Sequence, residues 1–305
     1  NRYHKIVLLG SSGFIGSALF KRFKTLDNLS VTGYSSSTLD LTLADSPRNL
    51  SSQLDQETIL IVAARARPTQ DRFASFRADT LMLTHIAQGL EQQPVKKCIY
   101  FSSTSIYGDI VTNWNVTEET PAAPSTLYGA SRFAGECLLT QAAARQETPL
   151  VIFRPCMVYG PGDNGEAYGP SQFMKSIETE NQVRLFGDGS EFRDYIFIDD
   201  LVEATAQFVF GNQQGIYNLA CGQNYSFQQI ISFLRQIVGT KFNICQTKRA
   251  KPQASQKIAC GKFLQEMPNH RFTPFEEGLE QTYSSFHRNH HGTNDHRARA
   301  YFHGH

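Results

Sequence analysis

Two short stretches carry residue types suited to moving a proton and a hydride at a carbinol carbon. In Tyr128-Gly-Ala-Ser-Arg132 a phenol and a guanidinium stand four residues apart, which places them on one face of a helix. A neighbouring cation favours the phenolate form. Such a phenol can exchange a proton with a sugar hydroxyl while hydride moves to or from a nicotinamide. The second stretch, Phe101-Ser-Ser-Thr-Ser-Ile-Tyr-Gly108, sets Ser103 and Thr104 at the end of an apolar run, where hydroxyls can bond a reacting oxygen. A third, Gly10-Ser-Ser-Gly13-Phe14-Ile15-Gly16, has the makings of a pyrophosphate cradle. Gly10 permits the tight turn, Gly13 lets backbone approach a phosphate, and Gly16 lets helix pack on strand. Free N–H groups at the helix start receive the charge. Each has a plainer reading taken alone: a surface Tyr–Arg stack, a helix cap, a tight turn.

Their context decides between the readings. Ile6–Leu9 is a short apolar run ending in glycine, as in a buried parallel strand, and Ser17–Leu26 follows with Leu19, Phe23 and Leu26 at helical spacing. Further strands are predicted at 30–34, 58–62, 98–101, 150–153 and 216–220. Helices are predicted at 80–90, 131–145, 171–180, 200–210 and 226–238. Strands alternating with helices of this length imply an α/β fold with a Rossmann-type, doubly wound parallel sheet. Ligands of such sheets sit at the carboxyl ends of the strands, where the glycine turn and the Ser102–Ser105 hydroxyls lie. From Pro155 to Pro170 the chain is rich in Gly and Pro and reads as a loop.

Composition narrows the partners. Lys and Arg number 29 against 28 Asp and Glu, so bulk charge gives no grip on nucleic acid or an anionic membrane. With 40% hydrophobic residues and 22 Phe, the chain can bury a substantial core. The six cysteines are scattered without a CxxC pair, which argues for reduced thiols and against a zinc site. Arg2, His4 and Lys5 before an apolar run imitate a signal peptide, but Gly10 to Gly13 interrupt it. No run is long enough for a membrane helix, and cytoplasm is the expected compartment. Six of the nine histidines fall from His287 onward, and 289–305 is expected to be a disordered, His-rich tail.

From Lys5 to about Tyr283 the motifs and their order resemble the extended short-chain dehydrogenase/reductases, the NAD-dependent nucleotide-sugar epimerase/dehydratase family. Besides the three stretches, the resemblance includes Arg154-Pro-Cys-Met-Val-Tyr-Gly-Pro161, Phe186-Gly-Asp-Gly-Ser-Glu-Phe-Arg-Asp-Tyr-Ile-Phe-Ile-Asp-Asp200 and Tyr217-Asn-Leu-Ala220. It implies Tyr128 as catalytic acid/base, Ser103 as its hydroxyl partner, and Arg132 where the family keeps a lysine. It implies NAD or NADP held by Gly10, Gly13, Phe14, Ile15, Gly16, Asp40, Leu41, Ala63, Ala64, Pro155, Tyr128 and Arg132. A nucleotide-sugar substrate would meet Ser103, Thr104, Met157 and Arg193, the last gripping a diphosphate with its fork. No metal is implied. Family members commonly form homodimers through two helices of each subunit.

The departures from the family pattern refine this. The 4,6-dehydratases carry Asp-Glu where Thr104 and Ser105 stand here, which disfavours elimination of water. The combined epimerase-reductases carry a cysteine in place of Ser105. A 4-epimerase or a 4-ketoreductase needs neither, and is the leading expectation. Arg132 in place of lysine opens a second one, a dinucleotide-binding member with impaired catalysis. The second strand ends Tyr34-Ser35-Ser36, without the acid that binds a ribose 2′-hydroxyl, so NAD and NADP both remain. The expected division is 1–155 plus returning segments near 194–222 as the cofactor domain. A smaller C-terminal α/β substrate-binding domain takes 156–193 and 223–288.

Overall fold

A computed structural model of the chain describes residues 4–298, apart from 28, 109–112, 240 and 250–254. Six strands form one parallel sheet: β1 (His4–Leu9), β2 (Leu29–Tyr34), β3 (Thr58–Val62), β4 (Lys97–Phe101), β6 (Leu150–Pro155) and β10 (Gly215–Leu219). They lie in the order β10-β6-β4-β3-β1-β2. The chain runs from β1 out to β2 and then returns to the other side of β1 for β3. The strand order therefore reverses beside β1, and a crevice opens there at the carboxyl ends.

Period-two alternation explains why these runs are apolar throughout. Ile6, Leu8, Ile59, Ile61, Ile99 and Phe101 belong to one core, and Val7, Leu9, Leu60, Val62, Cys98 and Tyr100 to another. The first is covered by α1 (Phe14–Lys24), through Leu19 and Phe23, and by α6 (Ile198–Phe210). The second is covered by α3 (Arg72–Gln92), through Met82, Leu83 and Ile86, and by α4 (Leu127–Arg145), through Leu139 and Ala142. The short α2 (Ser46–Ser51) is the one helix between β2 and β3.

Smaller sheets flank the carboxyl ends. β7 (Met157–Tyr159), β9 (Phe192–Phe197) and β11 (Asn224–Ser226) form a three-stranded sheet. β8 (Gln182–Phe186) pairs with β12 (Asn243–Thr247), and β5 (Asn113–Val116) with β13 (Gln256–Ile258). Among them lie α5 (Pro170–Glu180), α7 (Phe227–Val238) and α8 (Gly261–Glu266). Phe275 of α9 (Phe275–Ala298) stacks on Tyr225 with ring centroids 4.1 Å apart.

Three expectations change. The segment from Pro155 to Pro170 contains β7, because Met157–Tyr159 finds a parallel partner in Tyr195–Phe197. A division between 193 and 194 would cut β9, which pairs along its length with β7 and β11. The tail expected to be disordered from 289 continues α9 as helical backbone to Ala298, while 299–305 lie outside the described residues. No described helix is long and apolar enough to cross a membrane.

Candidate active site

The glycine turn leaves β1 directly into the crevice. Gly10 has φ +88°, and its N–H and that of Ser11 both donate to the Tyr34 carbonyl, at 2.8 and 3.0 Å. A Cβ on Gly10 would lie 2.7 Å from Ala64 Cα, and one on Gly16 only 2.0 Å from the Gly10 carbonyl oxygen. The turn thus folds onto the start of α1 and onto the loop after β3 with no space for side chains. Gly13 caps α1 without a side-chain bond to its first N–H groups. Those donors, together with the helix dipole, suit a phosphate. Phe14 and Ile15 pack their side chains on the core beneath. Over Gly13 the surface is open, since a Cβ there would meet only the Gly10 carbonyl oxygen at 3.4 Å, and this is the residue a dinucleotide's pyrophosphate would approach.

Asp40 and Leu41 follow β2 in the chain. Leu41 packs in the core that holds Leu9, Val62 and Ala64. Asp40 Oδ1 accepts from the Thr42 N–H at 2.9 Å and its hydroxyl at 2.6 Å, and these bonds hold its carboxyl below the usual range. At the end of β2, hydroxyls occupy the place of an acid: Ser35 and Ser37 Oγ are 2.7 Å apart.

Tyr128 and Arg132 occupy the first turns of α4, which starts where Thr126 accepts the Gly129 N–H at 3.0 Å. Tyr128 is 36% exposed, open enough to meet a ligand. Its ring is flanked by two guanidinium groups, Arg132 at 5.5 Å and Arg65 at 4.9 Å from the centroid. Arg132 is buried. Its Nη1 donates to the Ala64 carbonyl at 3.1 Å and its Nη2 to Asp79 Oδ1 at 3.2 Å. Burial works against its charge, but Tyr100, Tyr128 and Asp79 outweigh this and raise its pKa.

Ser103 caps the single turn Thr104–Tyr107 by accepting from the Ser105 N–H at 3.1 Å, and its hydroxyl donates to Ser105 Oγ at 3.0 Å. The Ser105 carbonyl lies against Gly129, so this turn and the start of α4 share one wall. One face of α4 is then locked from below. Glu136, four residues past Arg132, receives Arg154 Nε at 3.0 Å and Nη2 at 2.7 Å. Arg154 Nη1 donates to Tyr107 Oη, which donates to Asn218 Oδ1. Both charges are buried and bidentate, the geometry in which such a pair is most specific.

Pro155 ends β6 opposite Leu219. Met157 and Arg193 belong to the neighbouring sheet: Met157 pairs with Tyr195, two residues from Arg193. Arg193 is ion-paired to Glu191, which also pairs with Arg249. Gly10, Leu41 and Arg132 thus meet around Ala64, while Met157 and Arg193 come from a different sheet. Sequence reading missed Asp79, Arg65, Glu136, Glu191 and Arg249. Among the described residues no His, Cys, Asp or Glu cluster suits a metal.

An open parallel sheet with a glycine turn at its switch point and a Tyr–Arg pair beside it defines a dinucleotide-binding α/β protein. The model of the NAD dependent epimerase/dehydratase family matches residues 6–220, and the chain belongs to that family of enzymes. It is 26% identical over 262 residues to UDP-glucose 4-epimerase of Mycolicibacterium smegmatis, covering 77% of this chain and 83% of that one. With mouse dTDP-D-glucose 4,6-dehydratase it shares 26% identity over 211 residues, or 65% of this chain and 57% of that one. In fold it resembles UDP-glucuronic acid 4-epimerase of Bacillus cereus, solved with UDP-glucuronic acid and NAD. The TM-score is 0.82 at 21% identity, over 93% of this chain and 99% of that one.

Proposed function

We propose that the chain is an NAD(P)-dependent nucleotide-sugar 4-epimerase or 4-ketoreductase. The observation that carries this is the bond from Arg132 Nη1 to the Ala64 carbonyl. It ties the Tyr–Arg pair to the loop against which the Gly10 turn closes. In this reading Gly10, Gly13 and Gly16 hold the pyrophosphate, and the bound nicotinamide supplies the acceptor and donor of hydride. Tyr128 Oη holds and returns the proton of the sugar hydroxyl, with the Arg65 and Arg132 guanidinium groups flanking its ring. Ser103 orients the sugar oxygen once its hydroxyl leaves Ser105. Thr104 and Met157 line the sugar side, and Arg193 offers its fork to the substrate diphosphate in exchange for Glu191. Thr104 and Ser105 have no carboxyl to protonate a leaving hydroxyl, which supports epimerisation or reduction over dehydration. A homodimer through α3 and α4 belongs to the same reading, because Leu81 and Phe133 are exposed on those helices.

The test is turnover of UDP-hexoses, UDP-hexuronic acids and their dTDP counterparts, read by proton NMR and at 340 nm. Epimerisation inverts C4 without net absorbance change, and reduction consumes reduced nicotinamide. Tyr128→Phe turning over at the wild-type rate would refute the role of Tyr128. A second reading, impaired catalysis, draws on the engagement of the Arg132 fork by Asp79 and Ala64. It predicts cofactor binding with no turnover of any of these substrates.

A further inference from the structure

Asp79 is a carboxylate inside an apolar helix–helix seam. It is 3% exposed and lies on α3, one turn before Met82 and Leu83 of the second core. Its Oδ1 accepts from two donors at once, the Ala66 N–H at 2.9 Å and Arg132 Nη2 at 3.2 Å. Its Oδ2 lies 3.5 Å from the Ser131 hydroxyl and 3.9 Å from Arg65 Nε. Arg132 Nη1 meanwhile donates to the carbonyl of Ala64. The fork and the carboxylate therefore bracket one backbone segment, taking the carbonyl of residue 64 and the N–H of residue 66. Arg132 Nε is buried with no partner, so Asp79 is the anion that holds this fork.

We propose that Asp79 is a positioning residue of the site: it acts through Arg132 to fix the Ala63–Ala66 loop against the Gly10 turn and to set the guanidinium beside Tyr128. The inference rests on the reading of Tyr128 and Arg132 given above. A purely structural carboxylate would serve α3 and the Ala66 N–H alone. Asp79 is instead shared with the helix that carries the proton-transfer pair. Arg65 is not an equal claimant. Its side chain is 50% exposed, so water covers its charge, whereas Arg132 has no such recourse.

Asp79→Asn separates the two roles, because the amide oxygen still accepts from Ala66 while the charge is gone. Arg132→Met removes the fork with similar bulk. NADH and NADPH are titrated by fluorescence into the wild type, both single variants and the double variant, and each protein is melted in parallel. Each single change strands a buried charge, and each is expected to weaken binding on the order of tenfold and to lower the melting temperature. The double variant should bind no more weakly than the weaker single and should melt higher than either. Additive losses in binding and melting would overturn the role through Arg132, leaving Asp79 as a helix–loop tie only. A wild type that binds neither cofactor would overturn the functional reading, and this proposal with it. Binding with coupled variants but no sugar turnover would support the proposal and refute only the sugar chemistry.

Discussion

Replacing Asp194 with asparagine should remove a pH-dependent loss of stability that the wild type carries. Asp194 sits on β9, is 3% exposed, and its Oδ1 meets two thiols, Cys221 Sγ at 3.6 Å and Cys156 Sγ at 3.9 Å. Its Oδ2 is buried without a partner. Desolvation is the dominant influence, against weaker help from Cys221 and the Ile258 backbone, and it pushes the carboxyl from 3.8 up to about 7. Because the folded value lies above the unfolded one, the group's contribution is fully present below pH 4. It is lost as pH rises through about 7, since the folded state must then surrender a proton it holds well. At about 1.4 kcal/mol for each tenfold, that gap is worth about 4 kcal/mol at pH 8. Urea unfolding of both proteins from pH 4.5 to 8.5 gives the difference in stability, in which the titration of shared groups cancels. Asp194→Asn should gain on the wild type steadily up to about pH 7 and then level off. Any fixed penalty of burying an amide, about 1–3 kcal/mol, displaces the curve without changing its slope. A difference flat across this range would refute the reasoning.

Two further changes test the frame of the site. Gly16→Ala sets a methyl 2.0 Å from the Gly10 carbonyl, so the turn must open. Cofactor binding, followed by fluorescence, should fall at least tenfold, with a smaller loss of stability. Glu136→Gln leaves the buried Arg154 without its bidentate anion. Unfolding free energy should drop by about 3–5 kcal/mol, measured in denaturant.

Much of the sheet was legible because its strands are buried on both faces and stand out as unbroken apolar runs between helical periods. The Gly10–Gly16 turn was legible because glycine spacing reports backbone approach directly. Asp79 was not, for a specific reason: the apolar stripe of α3 reads from Thr80, whereas the helix begins at Arg72, capped by Asp71. Counted from Met82, Leu83 and Ile86, position 79 falls on the buried face, and an acid there was the available signal. Glu136 was hidden in an Ala-rich helix whose low polarity contrast shows no face. The pairing of β7 with β9 joins segments nearly forty residues apart through three-residue and six-residue strands, too short for any periodicity to announce.

The position of β10 at the outer edge of the sheet bears on how the chain emerges from the ribosome. β6 is apolar and buried along nearly all its length, yet its outer neighbour begins about sixty residues later, at Gly215. At roughly 5–20 residues per second, that edge waits several seconds for its cover. During that interval the nascent chain displays an unpaired hydrophobic strand, the kind of template on which polypeptides aggregate. Expression should therefore benefit from slower initiation or from added chaperone more than from any surface substitution, and ribosome stalling between 156 and 214 should be the most damaging.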